Sequence, residues 1–305
     1  MDSKHKILLW GIGQEYNRVI NALKYWEDQN AIEIVGVTDK NIPDLEEIDG
    51  WKVYKTIEIH ELNIDYYLVM SEKYFLEISK ELLVLGVNKN KILNSKILGI
   101  PYFSWEKYLL VQKGDLSIIC NNCVGGIIYN TLGMECLSPC KNLSIPDESF
   151  LKLTQNLEKY MSLELEFKRW QRDPHSQKDF PVMKLDDIEI WCNHDESISE
   201  AQDKWDRRKK KINFKNIMLI MYTETEETGR RFLDIEQYKK VLFVSEKSTL
   251  EGKDVYRLKM FPGQKEFWET VNNSATLGKS SCNYRILDML VGKKVYRNRD
   301  RKASI

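Results

Sequence analysis

One stretch constrains the fold of this chain more than any other, and it covers residues 116–133. Its apolar start predicts a buried strand over 116–120, its polar centre a turn over 121–123, and its second half a helix over about 125–132. A turn that leads from a strand into a helix lies at the carboxyl edge of an open α/β sheet, where such proteins bind ligands. Cys123 ends this turn, and the dipole of the following helix favours its thiolate.

The neighbours of Cys123 suit a reaction centre. The paired glycines Gly125 and Gly126 allow another group to approach the backbone closely, and their N–H groups suit an anion or a substrate. Asn121 and Asn122 add side-chain amides to the turn. Asn121 or the glycine N–H groups are therefore candidates for stabilising an oxyanion. The stretch predicts where chemistry takes place without naming a reaction.

Length and charge limit the classes of protein to consider. The 305 residues suffice for two domains, which we place at residues 1–100 and 101–305. Lys+Arg and Asp+Glu both number 46, which argues against a nucleic-acid partner. No apolar run approaches the roughly 20 residues that span a bilayer, and the N-terminus lacks the apolar core of a signal peptide. We expect a cytoplasmic protein with reduced cysteines, and an oligomer stays open.

The first domain alternates short strands with helices. Strands over about residues 6–10, 31–38 and 66–70 are separated by helical patterns, one of which covers 74–85. Such alternation predicts a parallel sheet of the Rossmann-like α/β type. The stretch 99–114 is typical of a linker.

A glycine pair after the first strand raises the question of a nucleotide. Gly11 and Gly13 match the first two glycines of the dinucleotide-binding pattern, but Tyr16 occupies the place of the third. Asp39 closes the second strand, where an acid can bind a ribose hydroxyl. Two interpretations stay open: a site for NAD or a nucleotide-sugar, and a tight turn in a scaffold that binds nothing.

Four different short motifs mark the first domain, at residues 11–13, 35–39, 49–53 and 85–87. Through them, most of residues 6–100 resembles the N-terminal nucleotide-binding-type domains of sugar-modifying enzymes in polysaccharide pathways. The resemblance implies a site for NAD or a nucleotide-sugar, although many such domains keep only the fold.

The second domain predicts a further α/β unit of three layers. Its apolar periodicity favours a long helix over about 149–167, a surface loop at 173–178 and a strand over 188–192. A capping box at Ser197–Glu200 begins the next helix. The remaining predicted elements are strands over 217–221, 240–244 and 255–260, a helical segment within 223–232, a terminal helix over 283–291 and a basic tail over 297–305.

Four cysteines raise the alternative of a zinc site. Cys120 and Cys123 form one closely spaced pair, and Cys136 and Cys140 form another. Both spacings suit Zn²⁺, but Cys120 belongs to the buried strand and is expected to point away from the turn. The alternative is a set of ordinary buried or surface thiols.

Motifs of the second domain follow one another in a specific order. They are Asn121-Asn-Cys-x-Gly-Gly126, Tyr129, Leu132-Gly133, Ser138-Pro139, Phe180-Pro-Val182, Asp187-Ile188, His194, Ser197, Glu200-Ala201 and Trp205-x-Arg-Arg208. On these motifs the domain is identified as a member of a bacterial domain-of-unknown-function family, number nineteen-nineteen, which carries an exopolysaccharide-biosynthesis-like label. The resemblance implies Tyr129 and Ser138 as substrate-binding residues. It places a cysteine at position 123 alone, so we predict that the protein holds no metal.

Cys123 and His194 form the candidate catalytic pair. Each follows a predicted strand and precedes a helix, so both turns lie at one edge if both strands are parallel in one sheet. A thiolate nucleophile with an imidazole base is the combination needed for acyl or related group transfer. Asp187 or Asp195 is then a candidate for orienting the imidazole. The alternative is a packed thiol and a histidine satisfied in a polar turn.

Arg207 and Arg208 begin the strongest local cluster of charge, which extends to Lys211. They suit a bidentate clamp on a phosphate or carboxylate, and otherwise form a solvated helix end. We therefore expect a small anionic or sugar ligand.

Taken together, these observations favour a cytoplasmic transferase or hydrolase that acts on a sugar-derived or nucleotide-sugar substrate in surface polysaccharide assembly. One alternative is a non-catalytic module that binds or senses a nucleotide-sugar through residues 11–39. Another is a structural partner of other pathway proteins.

Overall fold

The computed structural model describes residues 4–42, 44–277 and 284–292. The chain divides into two compact units, with the boundary between Glu106 and Lys107. Each unit is built on a parallel sheet, and the fold is mixed α/β, as the alternation of apolar patterns predicts. Among the described residues, no helix combines the length and the apolar character needed to cross a bilayer.

The first unit contains one main sheet. Its elements are β1 (His5–Trp10), α1 (Gln14–Asp28), β2 (Ile32–Thr38), β3 (Glu47–Ile48), β4 (Trp51–Lys52), β5 (Tyr66–Val69), α2 (Phe75–Val84) and β6 (Ile92–Asn94). The strands β2, β1, β5 and β6 pair in that order, and every pairing is parallel. Because β1 lies between β2 and β5, the connections leave it in opposite directions, which opens a crevice at its carboxyl end.

Tyr16 has a structural role where the nucleotide pattern calls for a third glycine. Its ring is buried and meets the ring of Trp51 edge to face at 6.3 Å. Its hydroxyl donates a hydrogen bond of 2.8 Å to Asp49 Oδ2. The substitution therefore ties α1 to the β3–β4 hairpin.

The second unit contains one sheet of four strands and one of three. Its elements are α3 (Trp105–Lys113), which begins at the boundary, β7 (Ser117–Cys120), α4 (Val124–Thr131), α5 (Asp147–Gln155), α6 (Leu157–Ser162), β8 (Glu166–Arg172), β9 (Asp179–Leu185), β10 (Ile188–Trp191), α7 (Ile198–Lys209), β11 (Ile217–Tyr222), α8 (Glu226–Leu233), β12 (Lys239–Ser245), β13 (Val255–Leu258), α9 (Phe267–Ala275) and α10 (Ile286–Leu290). The strands β13, β12, β11 and β7 form a parallel sheet, and β10, β9 and β8 form an antiparallel one.

The parallel sheet of the second unit carries helices on both faces. A Cβ at Gly125 in α4 would lie 2.6 Å from Cys120 Sγ, so α4 covers the face to which Cys120 points. A Cβ at Gly229 in α8 would lie 3.2 Å from Leu242 Cδ2. Leu242 pairs with Met221 of β11, whereas Cys120 pairs with the residue before it, Ile220. Because successive side chains of a strand point to opposite faces, Leu242 and Cys120 point to opposite faces of the sheet. Hence α4 and α8 lie on opposite sides of the sheet.

Two predicted elements are wrong. The helix expected over 149–167 is two short helices, because Asn156 leaves the helical conformation with φ −135° and ψ 47°. Its last residues belong to β8, and 173–178 form the turn of the β8–β9 hairpin. Likewise, residues within the predicted linker 99–114 form α3, whose buried Trp105 and Tyr108 supply core contacts.

The strand β10 does not meet the condition under which Cys123 and His194 were expected to be neighbours. That condition was a parallel sheet shared with β7, whereas β10 pairs with β9 in the antiparallel sheet. The terminal helix is observed as α10, and the tail 297–305 lies outside the described residues.

Candidate functional site

Cys123 and His194 meet in the structure. The Cys123 Sγ atom lies 3.4 Å from His194 Nε2, although the residues are 71 positions apart. Cys123 is the N-cap residue of α4 and is partly buried, while His194 is exposed in the loop between β10 and α7. A thiol and an imidazole at this distance share a hydrogen bond through which a proton can pass.

A short extended segment brings the two loops together across two sheets. Ser144 forms an antiparallel bridge with Trp191 at the end of β10. The next residue, Ile145, donates its N–H to the Asn121 carbonyl at 2.9 Å, just after β7. Residues 144–145 thus join the end of the antiparallel strand to the end of the parallel one. This link, and not a shared parallel sheet, places His194 beside Cys123.

The protonation state of Cys123 differs from the sequence-based expectation. The helix N-terminus predicts a lowered pKa, but burial raises the pKa of the Cys123 thiol to about 11. Desolvation disfavours the thiolate more than the first turn of α4 favours it. The resting group is therefore a neutral thiol, and His194 Nε2 is placed to accept its proton.

Neither aspartate expected to orient His194 does so. Asp195 is buried and forms an ion pair of 2.5 Å with Lys204. Asp187 binds Lys152 at 2.7 Å and the Tyr160 hydroxyl at 2.7 Å, and these contacts hold its pKa down at about 2. Across the part of the chain that the structure describes, Cys123 is the one hydrogen-bond partner of the His194 ring.

Asn121 and Asn122 hold the turn rather than face a substrate. The Asn121 amide donates to the Tyr222 carbonyl at 2.9 Å, and its oxygen accepts from the Tyr222 N–H at 3.1 Å. Asn122 Oδ1 accepts from Val124 N at 3.1 Å, and Nδ2 donates to Asn272 of α9 at 3.3 Å. Since both amides are engaged within the protein, Asn121 is not a free oxyanion donor, contrary to expectation.

Gly125 and Gly126 serve packing. As the Gly125 contact with Cys120 shows, a larger residue in α4 would collide with β7. A Cβ at Gly126 would lie 3.1 Å from Lys141 Cγ and 3.3 Å from Asn142 Oδ1. The space that these glycines free is filled by the protein itself, so the substrate-binding interpretation of the pair is not supported.

Tyr129 and Ser138 are likewise internal. The Tyr129 hydroxyl donates to the Leu116 carbonyl at 2.6 Å and accepts from Ile118 N at 2.8 Å. Ser138 is buried, and its hydroxyl accepts from Cys140 N at 3.1 Å. Neither is presented to a substrate.

Arg207 and Arg208 lie at the far end of α7 from His194. The 12 residues of this helix extend roughly 18 Å at 1.5 Å per residue. Arg208 donates to the Lys141 carbonyl at 2.8 Å, and Arg207 is exposed. The structure therefore does not bring the arginine pair to the Cys123–His194 pair.

Gly11, Gly13 and Asp39 do come together, in the first unit. They line a cavity of about 750 Å³ at the carboxyl ends of β1 and β5. Gly11 has φ +111°, a conformation that favours glycine, and a Cβ at Gly13 would meet nothing within 4 Å. Asp39 accepts from the N–H groups of Ile12 at 3.2 Å and Asn41 at 3.0 Å. The carboxylate thus stabilises the glycine turn and is also part of the cavity wall.

The five cysteines within the described residues are free thiols in varied surroundings. Cys120 and Cys140 are buried, and Cys120 Sγ contacts the Cys140 carbonyl at 3.7 Å. Burial raises the pKa of Cys140 to about 12. Among the described residues, no group of three or more His, Cys, Asp or Glu side chains is arranged to hold a metal ion.

Tyr222 and Asp147 lie at the same sheet edge and were not predicted from the sequence. Asp147 begins α5 and accepts from the Thr223 hydroxyl at 2.7 Å, just beyond β11. Tyr222 ends β11 and is close enough to Cys123 for a thiolate there to raise its pKa. The available signal was the same as for His194: a polar residue where an apolar strand ends.

Comparisons with known proteins extend this description. A family model described as "Domain of unknown function (DUF1919)" matches residues 94–289, which include the Cys123–His194 pair. A second model, described as "C2185-like, N-terminal", matches residues 3–93. A protein of Haemophilus influenzae named "Uncharacterized protein" is 30% identical over 173 residues, which cover 56% of this chain and 80% of the relative.

Proposed function

Since the chain belongs to the DUF1919 family, whose domain here contains both Cys123 and His194, we propose that its second unit is a cysteine-dependent group-transfer enzyme, a transferase or hydrolase. The observation that carries the proposal is the 3.4 Å contact between Cys123 Sγ and His194 Nε2 at the carboxyl edge of the parallel sheet. The substrate that we propose, from the motif resemblance, is a sugar-derived or nucleotide-sugar molecule of surface polysaccharide assembly.

The pair supports nucleophilic catalysis with a neutral resting thiol. His194 Nε2 accepts the thiol proton as Cys123 Sγ attacks an electrophilic carbon of the substrate, such as an ester carbonyl. The same imidazole returns the proton to the leaving group. Water or a substrate hydroxyl then releases the product from sulfur. Because burial keeps the thiol protonated, the proton transfer accompanies the attack and does not precede it.

An acyl probe tests this proposal without knowledge of the substrate. The protein is mixed with 4-nitrophenyl acetate at pH 7.5, release of nitrophenol is followed, and acetylated residues are located by peptide mapping. We expect an acetyl group on Cys123, none there in Cys123→Ser, and a rate lowered by about 10²-fold or more in His194→Gln, which loses the base.

Cys136→Ser is the matched control, because Cys136 is also a partly buried thiol but bonds to the Ser138 carbonyl. It should react like the wild type. A His194→Gln variant that acylates Cys123 at the wild-type rate would remove the catalytic role of the pair.

A second candidate function belongs to the first unit, where we propose a Rossmann-like site for NAD or a nucleotide-sugar. The supporting observation is the cavity of about 750 Å³ lined by Gly11, Gly13 and Asp39. Carboxylates of Glu15, Glu72 and Glu77 also line it. Lys40 and Lys73 line it as well, so the wall offers carboxylates to the hydroxyl groups of a ligand and ammonium groups to its phosphates.

Titration calorimetry with NAD and with UDP-glucose measures this binding. Gly13→Val places methyl groups at the cavity wall without collision inside the protein, so the affinity for the ligand should be lost. Gly99→Val is the control, since its site is also open but lies outside the cavity. If neither compound binds the wild type, the unit is a scaffold for which this function fails.

A further inference from the structure

Tyr222 is held at the site by its own backbone. The Asn121 amide contacts both its N–H and its carbonyl, at 3.1 and 2.9 Å. Asn121 lies one residue after β7 and Tyr222 is the last residue of β11, so the two strand ends are fixed to one another. These two hydrogen bonds hold the Tyr222 backbone at the end of β11.

The Tyr222 side chain lies on the face of the sheet that carries Cys123. Ile220 is the register partner of Cys120, and Tyr222 is two residues further on, so its side chain shares the face covered by α4. Its ring packs against Phe267, the first residue of α9, at 6.2 Å between centroids. The phenol therefore packs against the N-terminus of α9, on the face of the sheet that α4 covers.

The Tyr222 hydroxyl is free to bind a substrate. Within the described residues it has no hydrogen-bond partner, unlike the Tyr129 hydroxyl, which bonds twice to the backbone of the same sheet. Burial raises the pKa of Tyr222 to about 12, with added contributions from the charges of Asp147 and Glu224. The group is thus a hydrogen-bond donor at neutral pH.

We propose that the Tyr222 hydroxyl is a further catalytic group, which donates a hydrogen bond to the oxygen that becomes negatively charged when Cys123 attacks a substrate carbonyl. The inference rests on the proposed cysteine chemistry. It assigns to Tyr222 the oxyanion role that Asn121 cannot take, because the Asn121 amide is used to hold Tyr222 in place.

The step is balanced for an ester substrate. The Cys123 S–H proton passes to His194 Nε2, the S–C bond forms, and the π electrons of the carbonyl move to its oxygen, which accepts the Tyr222 O–H hydrogen bond. When the oxyanion collapses, the C–O bond to the leaving alcohol breaks and the proton on His194 goes to that alcohol. Tyr222 keeps its proton throughout and stabilises charge only in the intermediate.

Two probes of Cys123 separate this role from a structural one. 4-Nitrophenyl acetate reacts through a tetrahedral oxyanion, whereas iodoacetamide alkylates sulfur by displacement and forms none. Tyr222→Phe keeps the ring on Phe267 and removes the hydroxyl. We expect it to slow acetylation of Cys123 by about 10²-fold, the usual loss for one oxyanion donor, and to leave the rate of alkylation within about twofold of the wild type.

Tyr256→Phe is the control, since Tyr256 lies on β13 of the same sheet, packs against Phe243 and has its pKa raised to about 12, also by burial. It should leave both rates unchanged. Equal acetylation rates in Tyr222→Phe and wild type would overturn the Tyr222 assignment and leave Cys123 and His194 intact. A wild type that is never acetylated at Cys123 would instead remove the proposed function on which the assignment rests. Loss of both acetylation and alkylation in Tyr222→Phe would show a structural role and overturn the assignment as well.

Discussion

Two opposing effects act on the pKa of Cys123, the dipole of α4 and desolvation, and the larger of them determines the protonation state. A helix N-terminus contributes about 0.3–1 kcal/mol in favour of a negative charge when exposed. Desolvation of a mostly buried thiol works against the thiolate more strongly and raises the pKa to about 11. At pH 7 the thiolate is then about one part in ten thousand. Cys123 therefore resembles a catalytic serine, which depends on a base to remove its proton, and does not resemble a preformed thiolate.

The pH dependence of alkylation checks this conclusion. The rate of iodoacetamide reaction at Cys123, followed by peptide mapping between pH 6 and 11, should rise with a midpoint well above the reference value of about 8.5. In urea the midpoint should return toward the reference, because desolvation is lost. A folded-state midpoint below 8.5 would restore the thiolate that the sequence predicts.

At the scale of elements, the position of the reaction centre depends on how closely α4 approaches β7. Gly125 permits the approach, with a Cβ there only 3.1 Å from Ile118 Cγ2 and closer still to Cys120 Sγ. The part of the His194 loop that leads into α7 is fixed by the N-cap of that helix. The Ser197 hydroxyl accepts from Glu200 N at 3.2 Å, which confirms one half of the predicted capping box. The Glu200 carboxylate accepts from Glu196 N at 2.9 Å instead of from Ser197 N.

Replacing Gly125 by Ala should lower the free energy of unfolding by about 1–3 kcal/mol, since overpacking outweighs the gain in helix propensity. Gly13→Ala at the start of α1 meets open space and should change it by less than about 1 kcal/mol. Urea denaturation of both variants makes the comparison. Equal effects would mean that α4 shifts away from the strand without cost.

Removing the cap gives a second prediction at this scale. Ser197→Ala should cost about 1 kcal/mol of stability, because the first turn of α7 loses a hydrogen-bond acceptor. Ser199→Ala serves as the control, because it removes the exposed hydroxyl that lies 3.2 Å from Ser197 Oγ but keeps the bond from Glu200 N to Ser197. A Ser197→Ala variant as stable as Ser199→Ala would show that water replaces the cap.

Some parts of the fold and site were predictable from sequence and others were not. The parallel strands are mostly apolar and mostly buried, because both faces of their sheets are covered, and they were found to within a few residues. In contrast, β8 is exposed along most of its length, so no apolar pattern distinguishes it from a helix or loop. The pairing of Cys123 with His194 was predicted for the wrong reason, since the segment 144–145 that joins them has no sequence signature.

At the scale of the whole molecule, buried thiols couple stability to alkaline pH. Burial raises the pKa of Cys140 and of Cys192 to about 12, and that of Cys120 well above its ordinary value. Each thiol is neutral in the folded protein at a pH where it ionises in the unfolded chain. The folded state therefore binds more protons above about pH 8.5, and stability falls as pH rises.

The expected result is a loss of about 1–2 kcal/mol of unfolding free energy for each buried thiol between pH 8 and pH 10. Cys192→Ala should be less stable than the wild type at pH 8. Between pH 8 and pH 10, however, its free energy of unfolding should fall by about 1–2 kcal/mol less than that of the wild type. Guanidinium titrations at both pH values give the comparison. An identical decline in the variant would place the alkaline sensitivity in other groups, such as buried tyrosines.

The link at residues 144–145 also fixes an order of events as the chain folds. The strands β8, β9 and β10 follow one another directly and can pair within microseconds, whereas β7 must wait for β11, almost a hundred residues later. The chain between these two parallel neighbours contains the whole antiparallel sheet. Residues 144–145 can join the end of β10 to the end of β7 only when both strands have formed. We therefore expect the thiol and the imidazole to meet late in folding, after the local hairpins are complete and after β7 has paired with β11.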